Sequence, residues 1–593
     1  LNSWSDRTKA VVLVALALLI YGFGIGRGFD FDDVIYISEN PLLSREDGFR
    51  IYWFSSEAFN YYPLFWSLLR LQWLFWGMHP PGYHLVNLLL HAGNAALLWR
   101  ICLAWRLPGA WWVAALFVVH PVNVQTVAWA AEQKNTWSFL FMGLALLSFL
   151  RHARERDWLS YALSLLAYAG ALACKPSTVG LPVFLALYYG FQQDKKSRVL
   201  LLRLIPYFAL GLVAGLTTIW FEEHRVGAKS LMSTLSLWQR LEAAGAAFWF
   251  YLGKALLPIH LTPMYRGWVD STAAAHTAIP GVLLIILMGV CGTAWRRIGA
   301  PLALGLAYYA LMLLPLLGIF DTNYFSYSLI ADHWQYHALP GVLVTVVSAA
   351  GLLGRRFPRL EAAAPAVGTI TVLGVAALAS AHFAHFEDAR SLWTYVVQRN
   401  PEAWIGWYNL GNAHADERAY PEAIAQYRRS IAINPDYYRA RFNLANALAA
   451  AGQLEEADRA FGDARALLPK DPAGYINRAA VLLRLGREDE ALAEFQQALE
   501  LDPNQPSAHV NLLTIQLRRG RIAEATAHLE ASGVSSAANG RRIADAITSA
   551  GQQKAVPREA LLRFAARACA LSGNQPELTA AFIALSKGAP SLP

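Results

Sequence analysis

Charge is scarce in this 593-residue chain: Asp, Glu, Lys and Arg make up 16% of it, against a hydrophobic content of 55%. Soluble domains carry about 25% charged residues, so a single soluble globular domain is excluded and the membrane class is indicated. Cysteine is scarcer still. Cys102, Cys174, Cys291 and Cys569 are scattered without metal-ligand spacing, which leaves no basis for a disulfide framework or a zinc cluster and makes them small apolar fillers. No Walker loop, dinucleotide-binding glycine motif, HExxH pair or nucleophile elbow occurs, which argues against nucleotide-driven work, zinc proteolysis and serine-hydrolase chemistry. Any energy a reaction needs must arrive with its substrate.

The charge that is present is unevenly placed. Residues 1–382 hold 27 Lys and Arg against 19 Asp and Glu, whereas residues 383–593 hold 23 of each, so the whole net charge of +8 belongs to the apolar part. There the basic residues fall in short loops between apolar runs, the pattern of membrane topology rather than of a nucleic-acid patch. Apolar spans near 8–26, 83–104, 110–120, 136–150, 158–173, 179–191, 204–221, 279–295, 301–317, 337–353 and 364–381 predict 11 crossings, the first read as a transmembrane helix rather than a signal peptide. Arg100 with Arg106, Arg151 to Arg156, Lys195 to Arg203, Arg296 with Arg297, and Arg355 to Arg359 then share the N-terminal side, expected to be cytoplasmic. Loops 27–82, 121–135, 174–178, 222–278 and 318–336 share the other side, expected to be the periplasm of a bacterial inner membrane. The stretch Ala243 to Leu257 fits only as an interfacial or re-entrant segment, and Tyr61 to Trp76 suits a helix lying in the interface.

Beyond residue 400 a different order begins. Pro401, Pro435, Pro469 and Pro503 recur at an interval of 34, as do Asn409, Asn443, Asn477 and Asn511, then Glu422, Glu456, Glu490 and Glu524, and Ala423, Ala457, Ala491 and Ala525. That interval is the one of tetratricopeptide (TPR) helix pairs, in which alanine permits close packing and proline ends the second helix. The fold class is therefore all-α: a polytopic membrane domain over 1–382, a linker or helix over 383–399, a soluble solenoid of four TPRs over 400–535, and capping helices over 536–593. The asparagine ladder has two readings, local bonds within each repeat or a groove lining that holds the backbone of an extended peptide.

Candidate chemistry lies in the loops assigned to the far side. FDFDDVIYISENPLL places Asp30, Asp32 and Asp33 directly after the first span, where carboxylates are costly and tend to be functional; the plain alternative is a turn leaving the membrane. Adjacent Asp32 and Asp33 cannot share a face, so one can meet substrate while the other braces the loop. His84, Asn87 and His91, at i, i+3 and i+7, form one polar stripe on the second span. The loop HPVNVQTVAWAAEQKN adds His120, Asn123, Gln125, Glu132 and Lys134, and further on come CKPS with Lys175, PMYRGW with Arg266, and ADHWQYHALPG with Asp332 and His333. Lys134, Lys175, Arg266 and His333 are candidate cations on the carboxylates' side. No dedicated metal cage is seen, although an Asp pair could hold one divalent cation with substrate.

These segments resemble the transmembrane and TPR-containing O-mannosyltransferases, the TMTC family of GT-C glycosyltransferases. The resemblance is carried by the Asp32–Asp33 loop, the GYHLVNLLLH run from Gly82, the His120 loop with AWAAEQK, the KPS turn before Leu181, the DHWQY segment, and the repeats, in that order. It implies a polyprenyl- or dolichyl-phosphate monosaccharide donor, no cofactor, and transfer to a hydroxyl of an extracytoplasmic protein. Asp32 or Asp33 would be the catalytic base, and Lys134, Lys175, Arg266 and His333 would steady the lipid phosphate. His84, Asn87, His91, His120, Glu132 and Asp332 would shape the site, while Asn409, Asn443, Asn477 and Asn511 would bind the acceptor. His333 stands where the family carries an arginine. Two rivals remain: a transferase acting on a lipid or polysaccharide acceptor, and a non-enzymatic scaffold or transporter recruiting partners through its TPRs.

Overall fold

The computed structural model describes residues 5–192, 194–226, 235–265, 278–298, 300–319, 322–532, 537–573 and 575–587; among these no strand occurs, and helices carry the fold. The chain divides into two compact units, Leu1–Gly406 and Trp407–Pro593.

All eleven apolar segments expected to span are helical, but they differ in length. Among the described residues, six helices are long and apolar enough to cross a membrane: Asp6–Gly24, Pro80–Ala104, Ala130–Glu155, Lys195–Arg225, Leu339–Arg356 and Pro358–Ala384. Ala110–Val119 and Pro121–Ala128 make a seventh if taken together, bent by 50° at His120, whose backbone is extended. Proline at the first position of the second piece stops the first from continuing. Trp158–Cys174, Ile279–Thr293 and Ala300–Leu316 are shorter apolar helices. The stretch expected to be interfacial or re-entrant belongs to a 20-residue helix, Leu237–Leu256, which opens on a Ser236–Gln239 capping box and packs through Gly245 against Gly281.

Close helix crossings in this unit depend on small residues, as expected where lipid is as apolar as leucine. A methyl group at Gly305 would stand 2.7 Å from the carbonyl oxygen of Gly341, so the helices Ala300–Leu313 and Leu339–Arg356 touch backbone to backbone. The helix Ala389–Arg399 belongs to this unit and buries Leu392, Trp393, Val396 and Val397.

The second unit is the repeat array. Its helix pairs are Trp404–Asp416 with Tyr420–Ile433, Tyr438–Ala450 with Leu454–Leu467, Pro472–Arg484 with Glu488–Leu501, and Pro506–Arg518 with Ile522–Ala531. Pro435, Pro469 and Pro503 each lie two residues past the end of a second helix, and Ala423, Ala457, Ala491 and Ala525 are fully buried. Three further helices, Ala537–Gln552, Arg558–Leu571 and Pro576–Lys587, share one core with Val510, Leu517 and Leu529 of the fourth repeat. They cover the apolar face that an open solenoid end would expose.

Candidate active site

Four of the five loops assigned to the far side meet in one polar cluster, and the fifth borders it. Asp32 comes from the first, Glu132 and Lys134 from the second, Lys175 from the third and His333 from the last; Tyr265, from the loop after Leu256, reaches Asp332. The near-side residues are tied elsewhere: Arg100 pairs with Asp6 at 3.4 Å, and Arg154 donates to the Ala104 carbonyl.

The carboxylate loop is bent by an unusual backbone. Phe31 has φ +49°, a left-handed conformation rare in non-glycine residues, and its N–H donates to its neighbour Asp30 Oδ1 at 2.7 Å. The bend separates the two following carboxylates. Asp33, 1% exposed, turns inward and accepts the Ala131 N–H at 2.7 Å. Asp32, half-buried, turns to Lys134, with Nζ 3.4 Å from Oδ2. Burial raises the pKa of Asp32 and raises that of Asp33 well above the carboxylate range, the second despite its backbone hydrogen bonds.

Glu132 is the centre of the cluster. Fully buried, it lies 2.7 Å from Lys134 Nζ, 3.9 Å from Lys175 Nζ and 3.8 Å from His333 Nε2. Asn135 links the parts, donating to Glu132 Oε2 at 2.5 Å and accepting from Lys175 Nζ at 2.7 Å. Lys134 also stands 4.5 Å from the centre of the Tyr36 ring. Burial brings the Lys175 ammonium down to about 8, against the pull of Glu132 in the other direction. Burial also holds His333 at about 3, so the ring expected to be a cation faces Glu132 neutral at physiological pH. Asp332 does not enter the cluster: it accepts from Tyr265 OH at 2.8 Å and, because it is buried, its pKa rises to about 7.

The polar stripe on the second span holds loops in place. Asn87 Nδ2 donates to the carbonyls of Thr126, Val127 and Trp129 at 2.8, 3.1 and 3.0 Å, and its oxygen accepts from Thr136 at 2.9 Å. His91 bridges Tyr336 OH and the Val118 carbonyl, Asn94 adds a bond to Thr136 O, and His84 reaches Gly28 O. His120 contacts the Ala255 carbonyl at 3.1 Å. Arg266 lies outside the described residues. Asn135, Tyr36 and Tyr324, which no sequence signal marked as site residues, line the cluster or abut His333. Asn135 could have been found as one helical turn beyond Glu132; two tyrosines among 25 could not. Among the described residues, no group of three or more His, Cys, Asp or Glu side chains is placed to hold a metal ion.

Deeper between the helices lies a largely apolar cavity of ≈ 210 Å³, lined in part by Leu98, Trp105, Phe139, Met142, Leu304 and Tyr308. Phe139, on the wall of this cavity, has its ring 5.9 Å from that of His337, four residues after His333. In the repeats, Asn443 Nδ2 donates to Asn412 Oδ1 of the preceding repeat at 2.9 Å, and Asn477 to Asn446 at 3.1 Å, while Asn511 bonds Ser507 O within its own helix. Asn409 Nδ2 is buried without a hydrogen-bond partner.

Family models for the tetratricopeptide repeat match residues 376–438, 414–479 and 472–505. Among named proteins, the chain is 33% identical over 156 residues to protein O-mannosyl-transferase tmtc2 of Xenopus laevis, covering 24% of this chain and 19% of that protein. It is 34% identical over 184 residues to Tmtc1 of Drosophila melanogaster, covering 28% and 21%. The matches thus span about a fifth of the length of these relatives. Among solved structures, the TPR protein YrrB aligns with 32% of this chain and 98% of its own at 21% identity and a TM-score of 0.27. Over about a quarter of its length the chain is similar to these protein O-mannosyl-transferases, and its described residues join six helices long and apolar enough to cross a membrane to a TPR array.

Proposed function

We propose that this protein is a GT-C glycosyltransferase that moves a monosaccharide from a polyprenyl-phosphate donor to a Ser or Thr hydroxyl of an extracytoplasmic protein. The names of its relatives support mannose as the sugar and protein as the acceptor. The observation that carries the reading is the half-buried Asp32 carboxylate beside Lys134, with Lys175 a further step along the same cluster. A base and two ammonium groups on one buried patch are what a displacement at a lipid-linked sugar needs.

In the proposed step the acceptor hydroxyl attacks the anomeric carbon as Asp32 takes its proton. The bond from that carbon to the phosphate oxygen breaks on the opposite face, inverting the centre, and the electron pair leaves with the phosphate. Lys134 and Lys175 meet the charge that builds on those oxygens. Asp33 positions the loop through Ala131, and Glu132 sets the spacing of the lysines. Arg266 would add to the phosphate grip, and the apolar cavity beyond Phe139 has the character to receive part of the lipid chain. No metal is assigned a step. The reaction is placed on the extracytoplasmic face with the N-terminus cytoplasmic. The TPR array presents the acceptor, with Asn409, Asn443, Asn477 and Asn511 along its groove.

The test is transfer from a labelled polyprenyl-phosphate mannose by the full-length protein, with acceptors identified by mass spectrometry. Asp32→Asn should lower turnover by about 10² to 10⁴, the usual worth of a general base. Undiminished transfer by Asp32→Asn would remove the base assignment. Unimpaired transfer after deletion of residues 400–593 would point to a lipid or glycan acceptor, and absence of any transfer, with partners captured instead, to a scaffold.

A further inference from the structure

A second group of basic side chains gathers on the first unit where three helices end. Lys254 occupies the last turn of Leu237–Leu256, Arg399 ends Ala389–Arg399, and His385 caps Pro358–Ala384. Cations in these positions are partly accounted for by the negative ends of the helices. That explanation does not cover their convergence. Arg399 Nη1 lies 2.5 Å from His260 Nδ1, and its guanidinium stands 5.3 Å from the Tyr395 ring. His385 stacks on Tyr395 at 3.9 Å, and Tyr395 OH donates to the Leu261 carbonyl at 2.6 Å, tying the loop to the helix. Lys254 Nζ donates to the carbonyls of Ile259 and His260 at 2.8 and 3.3 Å, holding His260 at φ +55°.

Four basic side chains are thus drawn together, and among the described residues no carboxylate forms an ion pair with any of them. The acid nearest in influence, Asp332, is buried and engaged by Tyr265. An arginine N–H aimed at an imidazole nitrogen leaves the rest of its donor fork open, and Lys254 has a third N–H to give. Directly beside them Leu256, Leu257 and Ile259 are 56%, 61% and 36% exposed. Open cationic donors next to exposed aliphatic side chains, beside the end of the apolar helix Pro358–Ala384, match the two halves of an anionic lipid: phosphate above, acyl chain below.

We propose that Lys254, His260 and Arg399 bind the phosphate of an anionic bilayer phospholipid whose acyl chains lie along Leu256, Leu257 and Ile259. This site is independent of the sugar chemistry assigned to Asp32, and occupies it in no step. By clamping the end of Ala389–Arg399 to the loop 259–261, a bound lipid would fasten that helix at the membrane surface.

Native mass spectrometry of the full-length protein in detergent, offered equal amounts of phosphatidylglycerol and phosphatidylcholine, reads this directly. The wild type should retain phosphatidylglycerol about tenfold over phosphatidylcholine, and the Lys254→Gln/Arg399→Gln variant should lose that preference, while a TPR-surface control, Arg521→Gln, keeps it. Arg399→Lys, which preserves the charge but not the fork, should fall between, so that the comparison survives if the double variant is unstable. Equal retention of the two lipids by the wild type, or unchanged preference in the double variant, would overturn the proposal. So would inorganic phosphate displacing phosphatidylglycerol at comparable concentration, which would assign the site to a free anion.

Discussion

Trp393 Nε1 donates to Asp30 Oδ1 at 3.2 Å, across 363 residues of sequence, and the Trp393 ring also lies 5.2 Å from Phe31. The helix Ala389–Arg399 thereby holds the two residues that precede the Asp32–Asp33 pair. Burial raises Asp30 to about 6, and the indole hydrogen bond, which favours the charged form, limits the rise. Trp393→Phe should therefore destabilise the first unit by about 1 to 2 kcal/mol. Because the folded pKa of Asp30 exceeds its unfolded value, its ionisation costs stability as pH rises through about 6. The variant should lose more at pH 7.5 than at pH 5, and thermal unfolding followed at both values checks this.

Lys175 supplies a pH signature for donor binding. Its folded pKa of about 8 lies below the ordinary lysine value, so the ammonium is present below pH 8 and lost above it. The KM for a lipid-phosphate donor should rise as pH passes about 8, and Lys175→Met should raise KM at pH 7 and flatten the profile. The stability linkage runs the opposite way: the cost of burying this ammonium is full below pH 8 and relieved between about 8 and 10.5. An alkaline KM profile unaffected by Lys175→Met would exclude this residue from the phosphate grip.

Glu132 lies among two lysines and no solvent, so Glu132→Gln should cost about 3 to 5 kcal/mol through the uncompensated buried charge it leaves. Adding Lys134→Met should restore part of the loss, because the pair is coupled. A double-mutant cycle on melting temperature measures the coupling, and strict additivity would contradict the geometry.

The turn between paired helices recurs at φ +83°, +76° and +75° in Gly452, Gly486 and Gly520, and at +61° in Arg418, where the first repeat has no glycine. Arg418→Gly should stabilise the second unit by up to about 1 kcal/mol and Gly486→Ala should destabilise it by about 1 kcal/mol, read from urea unfolding.

Much of this architecture was legible before any coordinates. The 34-residue interval placed every repeat helix pair, because each repeat carries the same local packing signals at Pro, Glu and Ala. The eleven apolar runs all became helices, but their lengths did not follow from hydropathy: past the run that ends at His120, a second helix, Pro121–Ala128, continues at a bend of 50°. Adjacency told that Asp32 and Asp33 must diverge, but which turns inward is decided by an amide at Ala131, 98 positions away. Likewise the bond from Asn443 goes to Asn412, 31 residues earlier. Asn412 and Asn446 themselves stand 34 apart, so a second ladder offset by three was present to be read. Residue type shows charge capacity but not burial, so the sequence offers His333 as a cation where burial holds the ring at about 3.

The ion pairs around Glu132 have a consequence for turnover. Two lysines face two carboxylates, Glu132 and Asp32, and the neighbouring histidine is neutral, so the resting patch is electrically balanced. A phosphodiester donor entering it brings a single extra negative charge; the phosphate monoester left after sugar transfer can carry two. On the proposed reaction the proton taken by Asp32 keeps the total unchanged at the moment of transfer, so the extra negative charge appears only when that proton leaves, and discharge of the lipid phosphate is tied to the deprotonation of Asp32.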